Sequence, residues 1–115
     1  MALTDISPYV LTQLFGLKAG LSESTATGDV TVDETYGNLI KIDPGGSARN
    51  VTLPAETGRT GVLYWIFNGA DAAENLVVKD SGGTTKVTIN QNESAIVYCT
   101  GSSYTLVAVV AYARS

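Results

Sequence analysis

The 115-residue chain has no histidine, a single cysteine, a single tryptophan and only 16% charged residues. Without histidine, neither a Ser-His-Asp nor a Cys-His nucleophilic site can be built, and most zinc sites are excluded. No P-loop, GxGxxG fingerprint or CxxC pair is present, so the motifs that cradle phosphates or run dithiol chemistry are missing. Cys99 has no partner for an internal disulfide, and nothing points to an oxidising compartment. It alternates with Ala95 and Val97 in SAIVYCT and is expected to pack as a small apolar residue. No apolar run approaches the roughly 20 residues of a membrane helix, so no membrane partner is expected. The first residues, MALTDISPYV, lack the charged and apolar regions of a secretory signal. Synthesis in a cytoplasm is the expectation. The seven basic residues (Lys18, Lys41, Arg49, Arg59, Lys79, Lys86, Arg114) are scattered and the net charge is −4. Nucleic-acid binding through phosphates needs a concentrated positive surface, and it is not expected.

Aliphatic and aromatic residues make up 44% of the chain, enough for one domain with a core of its own. The pattern divides into an N-terminal arm with its linker, residues 1–27, and a β-type body, residues 28–115. In DISPYVLTQLFG, Ser7 can cap a short helix and Pro8 can occupy its first turn. Val10, Leu11, Leu14 and Phe15 then share one side, which must rest on the body or on a neighbour because so short a helix is marginal alone. GLSESTATGD reads as a flexible linker.

From Asp29 onward, eight short runs read as strands: DVTVD, NLIKID, NVTL, VLYWIF, NLVVKD, KVTIN, SAIVYC and YTLVAVVAY. Turn residues separate them in DPGGS, NGADAAE, DSGGTT, NQNE and TGSS. DSGG carries the strongest hairpin signal. Eight strands at this spacing predict an all-β, antiparallel β-sandwich, jelly-roll-like in strand number. Val87 and Ile89 alternate with polar neighbours and point inward, as do Val51 and Leu53. Two strands do not alternate. In VLYWIF, Val62, Tyr64 and Ile66 oppose Leu63, Trp65 and Phe67. In the last strand, Leu106, Ala108 and Val110 oppose Thr105, Val107, Val109 and Ala111. A two-layer body covers one face only, so these strands predict cover by the arm or by another subunit.

Candidate chemistry is sparse. Asp29, Asp33, Glu34 and Asp43 lie near the first strands, yet they lack the regular spacing of a calcium loop. A solvated acidic surface is the expectation, with no metal and no cofactor. Tyr36, Tyr64, Trp65, Tyr98 and Tyr104 offer a sugar-binding platform or, since most alternate with apolar neighbours, core and interface packing. No enzyme activity is expected.

Residues 50–107, NVTLPAETGRTGVLYWIFNGADAAENLVVKDSGGTTKVTINQNESAIVYCTGSSYTLV, resemble a module recurrent in virion proteins of tailed bacteriophages. The shared grammar is a VTLP strand, an aromatic strand ending in Asn-Gly, then NLVVKDSGGTT and a final TGSSYTLV. Such modules occur in fibres and in small capsid decoration (cement) proteins, often as trimers. A fibre ordinarily needs a long shaft, so the resemblance implies a small protein that stabilises a capsid from outside, without catalysis. On that reading Val10, Leu11, Leu14 and Phe15 grip the major capsid protein. Tyr64, Trp65, Val107, Val109 and Tyr112 form the interface of a homotrimer. A fibre-tip or receptor-binding module and a carbohydrate-binding module are the alternatives.

Overall fold

A computed structural model describes residues 20–113. Nine strands follow in chain order: β1 Leu21–Thr25, β2 Val30–Thr31, β3 Leu39–Asp43, β4 Arg49–Thr52, β5 Leu63–Asn68, β6 Leu76–Lys79, β7 Thr85–Ile89, β8 Glu93–Cys99 and β9 Tyr104–Ala111. They form a five-stranded sheet in the order β1-β3-β5-β8-β9 and a four-stranded sheet in the order β2-β4-β6-β7. The described residues contain no helix. The expected arm helix, with Val10, Leu11, Leu14 and Phe15, lies outside the described residues.

The antiparallel, jelly-roll-like expectation is corrected by the strand pairing. β1, β3 and β5 run parallel, as do β2, β4 and β6, while β5-β8, β8-β9 and β6-β7 are antiparallel. The first six strands alternate between the sheets, so the chain winds as a flattened spiral whose crossover is always a strand of the opposite sheet. Parallel neighbours need such a crossover. Alternation reveals a strand but not its partner. DPGGS and NGADAAE carry the chain across the core, whereas DSGG and TGSS close true hairpins. Gly45 shows why the β3–β4 crossing needs glycine. Its φ is +76°, and a Cβ there would run into the carbonyl oxygen of Ala26.

A second correction concerns LSEST, read as linker. It is β1, an edge strand in register with β3 from Leu21 opposite Leu39 to Thr25 opposite Asp43. Only Leu21 is apolar, so no alternation marks the strand. Its inward positions, Ser22 and Ser24, lie opposite Ile40 and Ile42 and are only half-buried and exposed, respectively. The Ser22 hydroxyl accepts the Gly37 amide at 2.8 Å.

One core fills the space between the sheets. Ile40, Ile42, Tyr64, Ile66, Ala95, Val97, Cys99 and Tyr104 come from one sheet, and Val51, Leu76, Val78, Val87 and Ile89 from the other. Cys99 is fully buried, as its spacing predicts. Asn68 is fully buried as well. Its Nδ2 donates to the carbonyls of Glu74 (2.7 Å) and Ile89 (2.9 Å), and its Oδ1 accepts the Ala70 amide at 2.8 Å. A residue that reads as turn punctuation therefore ties the β5–β6 crossing to β7.

Candidate association surface

The outer face of the five-stranded sheet follows from the register. Leu21, Leu39, Trp65, Ile96 and Ala108 stand opposite one another in turn across all five strands. The next row is Glu23, Lys41, Phe67, Ser94 and Val110, and Leu63 pairs with Tyr98 on the other flank. The first row is apolar from edge to edge. Among the described residues nothing lies over it, and Leu21 (50%), Leu39 (38%) and Tyr98 (38%) stay exposed.

Aromatic rings stiffen the middle of this face. Trp65 stacks on Phe67 with centroids 5.2 Å apart, and Tyr112 meets Phe67 edge-on at 5.1 Å. Trp65 Nε1 donates to the Ser94 hydroxyl at 2.9 Å, and that hydroxyl donates to the Val110 carbonyl at 3.0 Å. Ser94 is fully buried, and these two bonds satisfy it. The Tyr112 hydroxyl donates to the Asn68 carbonyl. Aromatic side chains with fixed orientations offer large contact area at small entropic cost.

β9 is exposed along most of its length. A bulge between Ile96 and Val97 leaves Val107 without an opposite number. The register therefore shifts by one, and the two apolar faces read from simple alternation are corrected. Leu106 and Val109 lie opposite buried Val97 and Ala95 and point inward, while Thr105, Ala108 and Val110 point outward. Even the inward pair is exposed, Leu106 at 40% and Val109 at 45%, because the facing sheet ends at β7.

Of the five residues expected at an interface, Trp65 and Tyr112 share the outer face, and Val107 and Val109 sit on the rim strand. Tyr64 does not join them. It is buried against the opposite sheet, its ring centroid 6.4 Å from that of Tyr104. Burial pushes both phenols above their ordinary pKa, against the weaker opposing pull of the Arg59 charge. The Tyr104 hydroxyl donates to the Pro54 carbonyl at 2.8 Å. Leu21, Leu39 and Ile96 are the surface residues that sequence reasoning missed. The outward side of NLIKID was the available signal for Leu39.

The acidic residues near the first strands do not gather. Asp29 accepts the Asn50 amide and side chain, which holds its carboxyl below the ordinary range. Asp33 accepts from Thr35, and Glu34 lies 3.8 Å from Arg59. Asp43 instead meets Asp71 and Glu74, their ligand atoms all within 4.8 Å of one another. Asp71 is exposed, and an acidic corner of this kind is not by itself a metal site. Comparison with protein-family models, with curated proteins and with solved structures finds no match to this chain.

Proposed function

We propose that this chain is a structural protein of a tailed-phage virion that seats on the outside of the capsid and stabilises it, acting by surface contact and not by catalysis. The observation that carries the reading is one row on the outer face of the five-stranded sheet, Leu21, Leu39, Trp65, Ile96 and Ala108, apolar across all five strands and partly exposed, with Leu21 and Leu39 the most open. Faces of this kind mark interaction sites in proteins whose surface is otherwise polar. The resemblance of residues 50–107 to virion modules supports the identity of the partner, the major capsid protein. The arm residues Val10, Leu11, Leu14 and Phe15 supply a second grip, and several such contacts held by one oligomer raise avidity.

Trp65, Tyr98 and Tyr112 on one face favour a second reading, a carbohydrate-binding module of a fibre or receptor-binding protein. Co-sedimentation separates the two. The full chain should pellet with undecorated capsids and should show no binding to immobilised host-surface glycans. Glycan binding quenched by sugar, with no capsid binding, would overturn the decoration reading in favour of the second.

A further inference from the structure

We infer that two copies of this chain pair antiparallel along β9, with Val110 of one opposite Val110 of the other, extending the five-stranded sheet into a ten-stranded one. Among the described residues β9 ends its sheet and is bonded to β8 on one side only. The Tyr112 amide donates to the Asn92 carbonyl at 3.1 Å. In an antiparallel ladder the backbone groups alternate in direction. Beyond the bulge, Ala108 and Val110 therefore turn their backbone groups toward β8, and Val109 and Ala111 turn theirs to the open side.

Proteins protect such an edge with charge, proline, a bulge or a covering segment. Residues 104–113, YTLVAVVAYA, carry no charge and no proline. The bulge at Val107 lies before the regular stretch and leaves Ala108 to Ala111 in continuous register with β8. Among the described residues nothing covers them, with Val109 and Val110 45% and 37% exposed.

A second copy is the occupant this stretch fits best, because the pairing is self-complementary about a two-fold axis. With Val110 on the axis, Val109 of each copy faces Ala111 of the other, a larger side chain against a smaller one at both ends. Those are the two residues with open backbone groups, so each pair exchanges two hydrogen bonds. No like charges meet. The outer apolar rows of the two copies then join into one platform. This refines the self-association of the proposed structural protein, as a two-fold pair where the resemblance implied a trimer. Its test uses no capsid, so the two readings fail separately.

The full chain in light scattering should show twice the 12.0 kDa chain mass. Val109→Pro removes only an amide that points to the open side, so it should give a folded monomer. Val109→Lys, which sets an ammonium group at each end of the seam, is the second edge block if the proline variant misfolds. Oxidised Val110→Cys should form a disulfide-linked dimer, since non-hydrogen-bonded antiparallel pairs bring Cα atoms to about 4.5 Å, within disulfide reach. Val107→Cys should not cross-link, and the native Cys99 is buried. A monomer or a trimer at all concentrations, a folded edge-block variant that still dimerises, or no cross-link through residue 110 would overturn the pairing.

Discussion

Replacing Asn68 with alanine tests the account of what holds the two sheets together. The side chain makes three hydrogen bonds to main-chain groups, two to carbonyls and one from an amide. Its deletion orphans all three at once. A buried polar group left without its partner costs about 1–3 kcal/mol. The Glu74 end lies beside exposed Asp71–Ala73, where water can replace part of the loss. The sum expected is therefore about 3 kcal/mol, set against a total stability of about 5–15 kcal/mol for a domain. Urea unfolding followed by the emission of Trp65, the sole tryptophan, measures it directly. The exposed Asn90→Ala serves as a control and should change little. A loss below about 1 kcal/mol for Asn68→Ala would refute the assignment of Asn68 as the tie between the β5–β6 crossing and β7.

Gly45→Ala should cost about 1–3 kcal/mol, since a non-glycine residue is strained at positive φ and the added Cβ meets the Ala26 carbonyl; a melting curve checks it. Asp80 accepts the amides of Thr84 and Gly82, which, with Lys86, hold its carboxyl below the ordinary 3.8. A carboxyl depressed in the folded state contributes stability above its unfolded pKa and loses it as pH falls through the folded value. Wild type should thus lose stability below about pH 4 more steeply than Asp80→Asn, as urea midpoints at pH 2–7 will show. EDTA should leave the melting temperature unchanged. A rise on adding Ca²⁺ would show that Asp43, Asp71 and Glu74 hold an ion, since a ligand of the folded state alone stabilises it.

Eight of the nine strands were legible in the sequence because each alternates or carries β-branched and aromatic residues between turn signals. The inward set Val51, Leu53, Val87 and Ile89 is buried as that alternation requires. β1 was not legible, since LSEST lies at a sheet margin where its inward serines need no apolar partner. Parallel pairing was not legible either. DPGGS at a crossing and DSGG at a hairpin share Asp, Ser and a Gly pair, and what separates them is whether the next strand finds its partner in the same sheet or the opposite one. The doubled apolar faces of VLYWIF and of the last strand did point to the exposed surface. The facing of β9 was mistaken because a single extra residue, Val107, inverts the alternation beyond it, and no local composition marks that bulge. Tyr64 was expected at a subunit interface, although it shares parity with Ile66 and belongs with it in the core.

On the proposed function, the outer face of the five-stranded sheet is the surface that meets the capsid. Leu39 and Tyr98 stand on that face, each 38% exposed, so Leu39→Asp with Tyr98→Asp should leave the fold intact while placing two charges in the contact. The measurement is quantitative co-sedimentation of this double variant and the wild type with undecorated capsids, with matched melting curves. The wild type should pellet and the folded double variant should stay in the supernatant. Equal binding by the two would contradict it.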